Sequence, residues 1–165
     1  MRIFKATFKY KRKKEKIVVF HAGSGGSTDG NLKIDDYINL ARSIKDSQYE
    51  IVFSFGPDDQ KIKEYIETNV DFKALIYESK VTLYDFAKYI ASSSLFVSTS
   101  TGPMHLAGAS NSKTLSFFGN SKFASSKRWA TVSEEINQNN FMLDKNYTRN
   151  DYIDIENRLK EIISE

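Results

Sequence analysis

Two loops hold the residues most able to do chemistry: His21-Ala22-Gly23-Ser24-Gly25-Gly26-Ser27-Thr28-Asp29-Gly30, and Ser98-Thr99-Ser100-Thr101-Gly102-Pro103-Met104-His105. Glycines let backbone N–H groups approach an anion, and the hydroxyls of Ser24, Ser27, Thr28, Ser100 and Thr101 can donate to phosphate oxygens. Pro103 has no N–H to leave unpaired and its φ suits a first helical turn, so a helix is expected to aim its N-terminal dipole at the second loop. The chemistry is that of holding a phosphorylated ligand. A flexible surface turn is the other reading of the first loop, because Gly and Ser also dominate plain connections.

His105 lies within about one helical turn of Thr101 and Gly102, so its imidazole could reach the same anion, or it is a buried, hydrogen-bonded structural histidine. His21 directly follows an apolar run, where a side chain more often braces a loop than does chemistry. The first loop is not a P-loop, since no Lys-Ser or Lys-Thr follows its glycines, and it is not the dinucleotide fingerprint, since Thr28 stands where the third glycine belongs. The acids of Gly56-Pro57-Asp58-Asp59 are explained by a turn with Asp58 capping the next helix. Two histidines at no metal-ligand spacing and the absence of an Asp-x-Asp pair leave no metal site to expect.

Those loops must be positioned by strands and helices. The runs Ile17 to Phe20, Ile51 to Phe55, Ala74 to Tyr77, Leu95 to Ser98 and Thr114 to Phe118 are short, rich in β-formers and only weakly alternating, as strands buried on both faces are. Asp36 to Ile44, Asp59 to Glu67, Thr82 to Ala91 and Pro103 to Ala109 read as helices, and Tyr152, Ile153, Ile155, Leu159, Ile162 and Ile163 make the stripe of a closing one. The alternation predicts an α/β fold, a Rossmann-like doubly wound parallel sheet of about five strands in the order 3-2-1-4-5. Ligands of such sheets bind where the strand order reverses, between strands one and four, and the two unusual loops follow those two strands.

At 165 residues, 40% hydrophobic and 27% charged, the chain has material for one ordinary domain. Its formal charge of +3 is local: Lys5, Lys9, Lys11, Arg12, Lys13, Lys14 and Lys16 crowd into the first sixteen residues. Residues 1 to 15 are expected to form a basic linker or an edge strand, with Phe4, Ala6, Phe8 and Tyr10 on one side, ahead of a domain over 16 to 165. The basic run is a solvated segment or a contact for anionic phospholipid, and nucleic acid is not an expected partner. Without cysteine, a membrane-spanning stretch or a signal-peptide pattern, a soluble cytoplasmic protein is expected.

His21-Ala22-Gly23-Ser24 after the first strand, Phe55-Gly56-Pro57 after the second, Thr101-Gly102-Pro103-Met104-His105-Leu106-Ala107-Gly108-Ala109 after the fourth and Ser116-Phe117-Phe118-Gly119 in the fifth together resemble the ADP-heptose:lipopolysaccharide heptosyltransferases, glycosyltransferase family 9. The resemblance covers roughly residues 16 to 130. It implies a GT-B architecture of two Rossmann-like domains, of which this chain would be the C-terminal, donor-binding one, without the N-terminal acceptor domain. By that resemblance Ser24 matches a hydroxyl residue near the donor phosphates, and Thr101, Gly102 and His105 match the diphosphate-binding Thr-Gly and His.

Two positions depart from the family pattern. Ser100 stands where an Asp usually precedes the Thr-Gly, which removes a sugar contact and leaves the donor sugar open, and Lys33 stands in, with displaced register, for a Lys before a Trp-Pro. The resemblance implies metal-independent inverting transfer of a sugar, heptose or similar, from an ADP-sugar to a lipopolysaccharide core acceptor. Hydroxyls, backbone amides and His105 or Lys33 would stabilise the departing diphosphate. The base would lie on the acceptor domain, so no catalytic residue and no cofactor is expected in this chain. The chain is then an excised domain, a split or truncated gene product or a standalone nucleotide-binding module. An apolar patch left bare on its cleft face would favour self-association, and peripheral contact with the inner membrane would give the basic segment a use.

Overall fold

The computed structural model describes residues 15–23, 30–79 and 82–165. The expected edge strand in residues 1 to 10, the basic run before Glu15, and Ser24, Ser27 and Thr28 lie outside them. Six parallel strands form one sheet: β1 (Ile17–His21), β2 (Glu50–Phe55), β3 (Leu75–Glu78), β4 (Leu95–Thr99), β5 (Thr114–Gly119) and β6 (Gln138–Leu143). Their order is β3-β2-β1-β4-β5-β6, so the chain reverses direction across the sheet between β1 and β4. The connections are α1 (Ile34–Ser43), α2 (Gln60–Asn69), α3 (Leu83–Ser92), α4 (Gly102–Ala109) and the short α5 (Ser126–Trp129), and α6 (Arg149–Ser164) closes the chain.

Alternate residues of each strand serve opposite faces, and both faces are covered. Val18, Phe20, Phe53 and Val97 pack with Tyr37 and Leu40 of α1, Ile66 of α2 and Ile155 and Leu159 of α6. Ile17, Val19, Val52 and Phe96 pack on the other face with Phe86 and Ile90 of α3 and Ala107 of α4. Burial on both sides is why β1, β2, β4 and β5 read as nearly continuous apolar runs.

The sixth strand lies in the polar stretch after Gly119, where the sequence carries no strand signal. Gln138 to Leu143 pair in parallel with Thr114 to Gly119 at the sheet edge, and only Leu143 is buried. The polar residues are tied down individually: Asn139 Nδ2 donates to Thr114 O (2.9 Å), Gln138 Nε2 donates to Ser133 O (2.8 Å), and Arg158 Nε of α6 donates to Asn139 Oδ1 (2.8 Å). Asn111, with φ 53°, turns the chain out of α4, and its Oδ1 accepts from Glu134 N at 3.0 Å. The capping of α6 is reciprocal: Thr148 Oγ1 accepts from Asp151 N, and the Asp151 carboxylate accepts from Thr148 N at 2.6 Å.

Candidate functional site

A cavity of about 590 Å³ opens at the carboxyl ends of β1, β2 and β4, beside the reversal of strand order. His21 and Gly23 close one side and Gly56 to Asp59 with Ile62 a second. Leu83 and Phe86 of α3 form a third, and Thr101, Gly102, Pro103 and Leu106 the last. Its placement follows from the topology, because α1 and α4 leave β1 and β4 in opposite directions across the sheet and their loops part. The described wall contains no Lys or Arg, and its ionisable groups are His21, Asp58 and Asp59.

The α4 wall presents hydrogen-bond donors to the cavity. Thr101 is the N-cap residue, 7% exposed, and its side chain does not cap its own helix. Its hydroxyl makes only a long bond to Thr99 O, 3.4 Å. The first helical bond is His105 N to Thr101 O (3.2 Å), so the N–H groups of Gly102 and Met104 precede the ladder and project from the positive end of the helix. Gly102 is exposed, and a Cβ there would meet no atom within 4 Å, so the space before its amide is open.

His21, the last residue of β1, is buried in the opposite wall. Its Nδ1 lies 3.0 Å from Ser54 Oγ on β2, and its ring stacks on Phe96 (6.1 Å between centroids) and meets Phe86 at 6.4 Å. Burial pushes the imidazole pKa below its usual value, against the opposing pull of the Asp59 carboxylate and the Ser54 bond. The expected bracing role of His21 is thus what the contacts describe, with one ring edge on the cavity.

Asp58 does not cap α2. Asp59 is the N-cap residue, and its carboxylate turns away from the helix to accept from Gly56 N at 2.8 Å. A Cβ on Gly23 would sit 2.7 Å from both Asp59 oxygens, so the carboxylate fills the space a side chain would take. Gly30 is equally constrained: its φ is +84°, and a Cβ would fall 1.9 Å from Gly119 N. These two glycines have packing reasons of their own, distinct from approach to an anion. Asp59 was expected only as part of the turn from Gly56 to Asp59 and not as a wall residue, while nothing local in the sequence marked Leu83 and Phe86.

The remaining expected donor contacts are dispersed. Ser100 is half-buried, and its N–H donates to Phe117 O at 3.0 Å. His105 is exposed, with its ring edge-on to Trp129 at 6.4 Å and outside the cavity wall. Lys33 is exposed at the N-cap of α1, where its N–H donates to Tyr147 Oη (2.9 Å) and its Nζ lies 5.8 Å from the centre of that ring. Of the expected residues, the structure therefore brings Thr101 and Gly102 together on the cavity. No group of three or more metal-ligating side chains occurs among the described residues.

With this geometry in place, the chain can be set beside known proteins. Residues 3–156 match the family described as glycosyltransferase family 9 (heptosyltransferase). The chain belongs to that family. A relative from Haemophilus influenzae, named as a glycosyltransferase, is 33% identical over 122 residues, covering 73% of this chain and 35% of the relative. The fold superposes on E. coli ADP-heptose LPS heptosyltransferase II with a TM-score of 0.73 at 16% identity, covering 90% of this chain and 46% of that one. The E. coli heptosyltransferase WaaC with ADP gives a TM-score of 0.70 at 16% identity, covering 89% of this chain and 44% of that one. This family member thus spans about a third of that relative and under half of either solved structure, and its six-stranded sheet corresponds to one half of a GT-B fold.

Proposed function

We propose that this chain is the donor-binding, C-terminal half of a glycosyltransferase and holds the diphosphate of an ADP-sugar at the N-terminus of α4. The observation that carries the reading is the uncapped start of that helix, with the Thr101 hydroxyl and the Gly102 N–H on a cavity at the strand-order reversal. That the heptosyltransferase WaaC is known with ADP supports the choice of nucleotide.

In an inverting transfer the anomeric carbon gains positive character while charge builds on the departing diphosphate, so groups aimed at that charge lower the barrier. Thr101 Oγ1, the amides of Gly102 and Met104 and the helix dipole supply them without a metal ion. Ser24, Lys33, Ser100 and His105 are further donor contacts in this reading. His105 joins by swinging its ring off Trp129, a rotamer change at an exposed position. The complete enzyme transfers heptose or a similar sugar to a lipopolysaccharide core acceptor, with the base on the acceptor half. It works in the cytoplasm, at the inner face of the membrane, where the basic run in residues 1 to 16 meets anionic lipid.

Calorimetric titration with ADP, UDP and GDP tests the reading. Binding should favour ADP and weaken roughly tenfold or more in Thr101→Val, the loss of one hydrogen bond to a charged group. Equal, unmeasurable binding of all three nucleotides would overturn it.

A further inference from the structure

The connection between β5 and β6 carries an exposed aromatic and basic surface outside the cavity wall. Phe123 is 76% exposed and Trp129 42% exposed, and they form one patch: Trp129 Nε1 donates to Phe123 O at 2.6 Å, and the Arg128 guanidinium lies over both rings, 5.7 and 5.1 Å from their centres. Half-exposed Met142 of β6 extends it, its sulfur accepting from Ser126 N at 3.4 Å. Lys122, Lys127 and Arg128 are exposed in the same segment, and no Asp or Glu occurs from Gly119 to Ser133. Among the described residues no carboxylate pairs with these three cations. Elsewhere surface cations do find partners, as Lys113 does in Glu165 at 2.6 Å and Arg42 in Asp71 at 3.0 Å.

Two bare aromatic rings interleaved with three unneutralised cations suit the boundary between water and a bilayer of negative surface charge. The rings enter at headgroup depth, the basic side chains reach lipid phosphates, and the attraction falls with salt. A purely apolar protein partner would leave those charges desolvated without compensation. We propose that residues 122 to 129 form a docking surface for an anionic phospholipid membrane. Its residues are distinct in sequence from the basic run at the start of the chain, and the proposal does not depend on the donor reading.

Trp129 is the only tryptophan, so its fluorescence reports on this surface alone. The full chain is mixed with vesicles of equal parts phosphatidylglycerol and phosphatidylcholine, or of phosphatidylcholine alone, followed by Trp emission and by co-sedimentation. Anionic vesicles should shift the emission to the blue and should be released by added salt, and lipids brominated near the headgroup should quench it. Lys122→Gln with Lys127→Gln should weaken binding about twenty-five-fold, roughly fivefold per lysine, and Phe123→Ala should weaken it with the charge unchanged. Lys11→Gln with Lys13→Gln and Lys14→Gln should weaken binding through the basic run but leave the full blue shift in place at saturating vesicles, whereas Phe123→Ala should reduce binding with that run intact. The absence of binding to anionic vesicles would overturn the proposal. So would binding that leaves Trp129 emission unchanged, or a blue shift that appears without lipid as protein concentration rises, which would mark self-association.

Discussion

At the scale of single residues, the cavity wall is set by groups with little freedom. His21 is a clear case. Its imidazole is held below its usual pKa by burial, so the folded chain keeps it neutral while the unfolded chain protonates it near pH 6.5. As pH falls through that value the unfolded state gains a proton that the folded state does not, and stability is lost; above it the contribution is constant. His21→Gln removes the imbalance. The melting-temperature gap between wild type and variant should therefore narrow from pH 7.5 to pH 5.5, and a gap independent of pH would refute the assignment. Gly30→Ala is expected to be harsher. A left-handed φ of +84° and a Cβ 1.9 Å from backbone together should cost about 2–4 kcal/mol, read as a drop of roughly 5–15 °C in Tm.

Much of this level was legible in the chain, for reasons that differ by residue. Thr101 and Gly102 could be found because Pro103 marks a helix start, and a helix start after a buried strand has one orientation. His105 shows where neighbourhood in sequence stops being informative. At 100° per residue, Gly102, Pro103 and Leu106 fall within an arc of about 100°, and His105 lies about 60° outside it. It meets Trp129 across a connection that no local pattern announces. Asp59 turns its carboxylate back onto Gly56 N within its own turn and packs against Gly23 of the distant first loop, a tertiary contact that short-range capping rules do not contain.

Among elements, the buried strands and the amphipathic helices were readable because their periodicity is imposed by two covered faces. β6 was not, because an edge strand needs only backbone pairing on one side. Its polar side chains are satisfied by Thr114 and Arg158, 25 and 19 residues away in sequence, and by Ser133 just ahead of the strand. α6 covers the sheet with Tyr152, Ile155, Leu159 and Ile162, and its start rests on the Thr148–Asp151 capping box. Thr148→Ala should lower stability by about 1 kcal/mol, a Tm decrease of roughly 2–4 °C, without weakening nucleotide binding. The bonds from Thr148 hold the Asp151 carboxyl below its usual pKa, so this cap also weakens as pH falls through the acidic range. Unchanged thermal stability in the variant at neutral pH would show that packing alone holds α6.

At the scale of the whole chain, the described residues between 15 and 165 form one half of a GT-B fold of glycosyltransferase family 9, with a cavity where the strand order reverses and an uncapped helix N-terminus in the cavity wall. The sheet brings together the ends of two loops that the sequence sets 68 residues apart, measured from Gly30 to Ser98, and the proposed function uses the start of α4 as a place for negative charge. No described helix is long and apolar enough to cross a membrane. The most direct test is a crystal structure of the chain with ADP. The diphosphate should lie within hydrogen-bonding distance of the Gly102 amide and Thr101 Oγ1, with adenine in the space bounded by Pro57, Ile62 and Leu83; ADP bound elsewhere on the chain, with the start of α4 facing only solvent, would contradict a donor site at this helix.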